Sequence, residues 1–129
     1  MTQQKPEAVL KLWMQHVNSH NVAGLVSMYD EQAVLIPTFS NRLLSNPERI
    51  REYFERLCGR DELSIALHEK TLISQPVKQD LHSVCGIYCW RFAIDGELFS
   101  FEARFSYLLN PASDKPILQH HSSQIPRMI

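Results

Sequence analysis

Glycine is scarce in this sequence, four residues in 129, and the four are scattered. A P-loop or a dinucleotide fingerprint needs clustered glycines so that backbone can approach a phosphate, and neither pattern is present. The Gly-x-Ser-x-Gly elbow of many hydrolases is missing too. Cysteine is limited to three, an odd count that reads as reduced thiols. Cys85 and Cys89 sit in a strand-like segment, where four residues span about 13 Å, too far for a disulfide. Their spacing matches neither the redox C-x-x-C nor a zinc site, so the three thiols are read as small fillers of apolar space. No apolar run approaches the roughly 20 residues of a membrane span. The N-terminus leads into an amphipathic stretch instead of a signal-peptide block. Charge of one sign is also lacking: 13 Lys+Arg against 14 Asp+Glu leave a net charge of -1. That balance argues against nonspecific binding to nucleic acid or anionic membrane. These absences leave a cytoplasmic protein with residues 1–129 as one domain, and no cofactor or metal is expected.

What is present divides into two halves. From Pro6 to Asn18, Val9, Leu10, Trp13, Met14 and Val17 recur at helical period. Asn21 can cap a second, short helix carrying Val22, Leu25, Val26 and Tyr29 and ending near Asp30. Residues Ala33 to Pro37 form a short apolar run that reads as a strand. Asn46-Pro47-Glu48 starts a third helix, burying Ile50, Tyr53, Phe54 and Leu57, with Gly59 as a left-handed stop. The second half is rich in β-branched and aromatic residues near Ser64–Ser74, Ser83–Ile94, Glu97–Leu109 and Pro116–Ser123, which predicts antiparallel strands. Helices first and a meander afterwards imply an α+β fold, three helices on one face of a curved sheet.

Asp95-Gly96 signals a two-residue hairpin turn, since a type I′ turn needs positive φ at both positions. It pairs Ile94 with Glu97, Arg91 with Ser100, Cys89 with Glu102, Ile87 with Arg104 and Cys85 with Ser106. These residues share one face, mixed in character. The other face carries Tyr88, Trp90 and Phe92 opposite Phe99, Phe101 and Ala103, with Phe105 and Tyr107 further along. Two arrangements fit. Either the aromatic face is the core and the charged face meets water, the default for an antiparallel sheet, or the helices roof the charged face as a pocket and the aromatic face packs on a second subunit.

Few residues are candidates for chemistry. His120 and His121 are neighbours in a strand and point to opposite faces, so they cannot share a metal or a pocket; Ser122 lies on the His120 side. His16 and His20 have helical i, i+4 spacing but no H-E-x-x-H motif around them, and His68 and His82 have no informative neighbours. Arg42, Arg49, Arg51, Arg56 and Arg60 interleave with Glu48, Glu52 and Glu55, the pattern of a solvated helix face. Glu102 and Arg104 lie two apart on one strand. In the open they would form a weak surface pair. Under a roof, Arg104 would anchor a ligand carboxylate.

The order of elements and several strings resemble the nuclear transport factor two-like (SnoaL-like) superfamily. The strings are Ala33-Val34-Leu35-Ile36-Pro37, Tyr53-Phe54-Glu55 with Leu57, Ile94-Asp95-Gly96, Glu102-Ala103-Arg104, and His120-His121-Ser122-Ser123-Gln124-Ile125-Pro126. Within that superfamily the likeness is strongest to the association domain of calcium/calmodulin-dependent protein kinase II and its stand-alone bacterial relatives. The resemblance implies a cone-shaped fold and a homodimer or larger ring built through the sheets, here through the aromatic face. It implies that Arg104 matches a pocket arginine that binds small carboxylates, while two further pocket arginines fall at Cys89 and Ser122. Arg91 shares the Cys89 face and is a candidate substitute. Ketosteroid isomerases of this superfamily place an Asp before the matching proline, a position that is Ile36 here. The sequence therefore leans toward a ligand-binding or assembly domain, its pocket drawn from Arg104, Glu102, Arg91, Cys89, His120, Ser122 and Tyr29. The alternative is a cyclase, isomerase or dehydratase working by general acid–base chemistry, with His120 and Asp30 as candidate catalytic groups.

Overall fold

The computed structural model describes residues 4–126. The stripe Val9, Leu10, Trp13, Met14 and Val17 winds onto one side of α1 (Pro6–Asn18), and all five side chains are buried. Asn21 caps α2 (Val22–Ser27) by accepting a hydrogen bond from the Gly24 N–H at 2.9 Å. Asn46 does the same for α3 (Pro47–Cys58) through the Arg49 N–H, also at 2.9 Å. The strands are β1 (Tyr29–Ile36), β2 (Ser64–Leu67), β3 (Ile73–Lys78), β4 (Leu81–Ile94), β5 (Glu97–Leu109) and β6 (Ile117–Gln124). They form one sheet in the order β1-β6-β5-β4-β2, with β3 also on β4; only β1 and β6 run parallel. The α+β architecture, three helices and a mostly antiparallel sheet, is the one expected. No helix among the described residues is long and apolar enough to cross a membrane.

The β4–β5 register agrees with the expectation at every pair, because φ is positive at both turn residues, 53° at Asp95 and 80° at Gly96. Local boundaries differ where longer-range pairing prevails. The second helix stops at Ser27, short of Tyr29 and Asp30, because the Ile117 N–H takes the Met28 carbonyl and draws the chain into β1. The segment Ser64–Ser74 is two strands, not one. A turn of 3₁₀ helix at Glu69–Thr71 separates them, and Thr71 Oγ1 both donates to the His68 carbonyl and accepts from the Ile87 N–H. Gly59 does not stop α3 in the left-handed region; its φ is -82°, and the positive φ falls at Glu62.

The larger correction concerns the two sheet faces. The aromatic face lies beneath the helices of the same chain. Trp13 of α1 stacks on Tyr88 at 5.9 Å and meets Trp90 and Tyr107 edge-on. Tyr88, Trp90, Phe92, Ala103, Phe105 and Tyr107 are all buried. An aromatic ring buries about 150–250 Å², worth roughly 4–6 kcal/mol gross at 25 cal/mol per Å². A row of such rings, from Tyr88 to Tyr107, is therefore committed to the core of this chain, while Phe99 at the distal end of the same face stays exposed. The charged face is the outer one, with Arg91, Glu102 and Arg104 exposed.

Candidate functional site

The parallel β1–β6 pairing and the antiparallel β5–β6 pairing place Leu35 beside His120 and His120 opposite Tyr107. That register sends His120 and Ser122 inward, each 2% exposed, and leaves His121 outside. His120 lies flat against Tyr107, ring centroids 3.9 Å apart, with Trp13 edge-on at 5.1 Å. Both ring nitrogens have phenol partners: Nδ1 is 2.8 Å from the Tyr29 hydroxyl and Nε2 is 3.2 Å from the Tyr88 hydroxyl.

The proton positions follow from the donor set. Trp13 Nε1–H can only donate, and it gives its hydrogen to the Tyr29 hydroxyl at 3.0 Å. Tyr29 then donates to Nδ1, which leaves the hydrogen on Nε2 to point at Tyr88. Tyr88 in turn interacts with Ser122 and Thr38, whose hydroxyls bond each other. This tautomer satisfies each of these groups; the opposite one would leave the Tyr29 hydrogen without an acceptor. Burial, reinforced slightly by His121, pushes the His120 pKa down from 6.5 to about 3, so the imidazole is neutral. Burial also raises the phenols of Tyr29, Tyr53, Tyr88 and Tyr107 well above the usual range.

Thr38 connects this interior to an open cleft of about 1220 Å³. The segment between β1 and α3 forms one wall, α3 another, and the distal ends of β4 and β5 the floor. Phe39 is the pivot. Its ring sits 5.2–5.6 Å from those of Trp90, Phe92 and Phe101, and its N–H donates to the Tyr53 hydroxyl at 3.3 Å. On one side of this plug lies the cleft, lined by Phe39, Tyr53, Phe92 and Phe101; on the other lie Trp90 and the His120 network. Among the described residues, two buried polar atoms have no protein partner, Trp90 Nε1 and the Tyr107 hydroxyl. A second hollow of about 290 Å³ lies on the other flank of the same segment, touching Ser122 and Ser123.

Of the residues selected from sequence, the structure brings together Tyr29, His120 and Ser122. Arg104, Glu102, Arg91 and Cys89 lie on the opposite side of the sheet, and Arg104 is exposed, with Ile87 and Ser123 as its cross-strand neighbours. Glu102 instead meets His68 at 2.7 Å in a half-exposed pair. Asp30 is separated from the His120 network and accepts from the Gln32 N–H at 3.0 Å, a local turn contact. Among the described residues no cluster of three or more His, Cys, Asp or Glu could hold a metal. The sequence reading missed Trp13, Tyr88, Thr38 and Phe39, and it took the arginines of α3 as a plain solvated face. Arg49, Tyr53 and Arg56 recur at three or four residues, which puts them on the cleft side of the helix, and Arg60 joins them just past its end.

No known sequence family and no curated protein matches this chain. Solved structures do. A protein from Xanthomonas campestris assigned as a calcium/calmodulin dependent protein kinase II association domain superposes with a TM-score of 0.84 at 22% identity, over 95% of this chain and 86% of its own. A Streptomyces avermitilis protein assigned as a dehydratase of the NTF2-like family gives 0.79 at 11% identity, covering 94% of each chain. A ketosteroid isomerase-like protein from Erwinia carotovora gives 0.74 at 12% identity, again over 94% of each. The chain has the nuclear transport factor two-like fold. That fold is shared by association-domain and enzyme neighbours, so the residues of the site must decide between them.

Proposed function

We propose that this chain is a small-molecule-binding domain whose ligand occupies the cleft between α3, the segment Thr38–Ser45 and the distal ends of β4 and β5. One observation carries the reading: an open cleft of about 1220 Å³ with an aromatic floor and polar rim, somewhat above the roughly 300–1,000 Å³ of most small-ligand pockets. N-phenyl-1-naphthylamine, an uncharged aromatic whose fluorescence rises in apolar surroundings, is a suitable probe. Micromolar binding is expected, weakened at least tenfold by Asn41→Trp, which fills part of the cleft from an exposed position. Binding indifferent to Asn41→Trp would contradict the proposal.

A second reading, general acid–base catalysis, rests on the neutral imidazole held between two phenols and on the Thr38–Ser122 contact that links it to the cleft. Chemistry requires that a substrate reach His120 past Phe39. In Phe39→Ala, diethyl pyrocarbonate should modify His120, mapped by mass spectrometry, while the wild-type residue stays protected. Protection in both proteins would put the imidazole out of reach and leave the binding reading alone.

Self-association belongs to the same proposal but moves to the outer face. There Val34, Ile36, Ile87 and Leu108 are only half-buried among polar side chains. Sedimentation is expected to show a dimer; a monomer at 100-fold dilution and at high concentration alike would remove this part.

A further inference from the structure

We infer that the cleft takes an amphipathic anion: a flat apolar body carrying a carboxylate, sulfonate or phosphate group. The inference rests on the cleft being the binding site. Its own ground is charge. Four arginines line the cleft, Arg42, Arg49, Arg56 and Arg60, against a single carboxylate, Glu52. That is +4 - 1 = +3 around one opening, in a chain whose net charge is -1. No lysine contributes, and the guanidinium fork is the side chain suited to bidentate capture of an oxyanion.

Some of this charge is already engaged. Arg49 meets Glu52 at 3.7 Å, an exposed pair, and Arg60 lies over the Phe92 ring at 5.4 Å. Among the described residues Arg42 and Arg56 have no carboxylate partner. They come from different walls, Arg42 from the segment after β1 and Arg56 from α3, so an oxyanion at the rim can meet both. Below them lie Phe39, Tyr53, Phe92 and Phe101, faces for a planar body. Like-charged guanidinia at one opening repel one another, and an anion relieves that repulsion.

Two probes with the same rings separate the charge from the cleft: 8-anilinonaphthalene-1-sulfonate and the uncharged N-phenyl-1-naphthylamine. At low ionic strength the sulfonate should bind at least tenfold more tightly than the neutral probe, and the advantage should shrink as salt rises. Arg42→Gln with Arg56→Gln, both exposed positions, should abolish the advantage when both probes are measured on the same variant. Equal affinities in the wild type, or an advantage that survives the double substitution, would overturn the inference while the cleft stands. Failure of both probes to bind would overturn the cleft reading itself.

Discussion

The two faces of the β4–β5 hairpin share a backbone and a register yet have different fates. On the inner face Tyr88, Phe105 and Tyr107 are buried under α1; on the outer face, one residue along, Cys85, Ile87, Cys89, Glu102 and Arg104 are partly or fully open. Each ion pair and polar side chain on the outer face trades water for protein with little net gain. On the inner face an unpaired buried group costs about 1–3 kcal/mol, a penalty borne at Trp90 Nε1 and the Tyr107 hydroxyl and avoided by the other hydroxyls around His120. Hence the closed sequence of bonds from Trp13 through Tyr29 and His120 to Tyr88, beside the looser His68–Glu102 contact outside. Burial, more than residue type, decides which titratable groups have altered chemistry.

Substitutions can break this contrast, and the largest effect is expected at Trp13. Trp13→Ala removes a fully buried ring packed on Tyr88, Trp90, Tyr107 and His120, and should cost about 3–5 kcal/mol in urea unfolding. Arg104→Ala on the outer face should change stability by no more than about 0.5 kcal/mol. Similar costs at both positions would erase the distinction.

The next effect is read by pH. The folded pKa of His120 lies near 3, below its ordinary 6.5, so between those values the unfolded chain binds more protons. Stability is then complete above pH 6.5 and falls as pH drops toward 3, by up to about 1.4 kcal/mol per pH unit. His120→Gln should lower stability at pH 7 and flatten that slope; an unchanged slope between pH 6.5 and 4 would place the proton elsewhere.

Smaller effects sharpen the boundary between the faces. Thr38→Val deletes the hydroxyl that meets Ser122 and should cost about 1 kcal/mol, with faster amide exchange at Phe39 and Ser40. Glu102→Gln weakens the half-exposed contact to His68, and the melting midpoint should move by less than about 0.5 kcal/mol equivalent.

How much of this was legible in the sequence depended on the length of the connections. The β4–β5 register followed from Asp95-Gly96 because a two-residue turn leaves one pairing. The β6 register did not follow. The chain from Asn110 to Pro116 is long, and the ladder shifts between Leu108 and Leu109, so no local rule pairs Tyr107 with His120. For that reason the sequence groups His120 with Arg104 in one pocket, whereas the sheet separates them. The helix caps at Asn21 and Asn46 were readable because capping is local, whereas the stop at Ser27 was set by Ile117, far along the chain. The choice of core face rested on what covers it. Trp13, visible in sequence only as one member of an apolar stripe, settled that question by stacking on Tyr88. The arginines of α3 carried a usable signal in their three- and four-residue spacing with Tyr53, but only the sheet opposite them makes that stripe a wall.

The most direct measurement is an amide NMR titration with 8-anilinonaphthalene-1-sulfonate. Binding in the cleft predicts shifts along Arg49–Arg60, Thr38–Ser45, Phe92 and Phe101, with Cys89 and Arg104 on the outer face unmoved. Shifts centred on Cys89, Glu102 and Arg104, with α3 silent, would contradict the account.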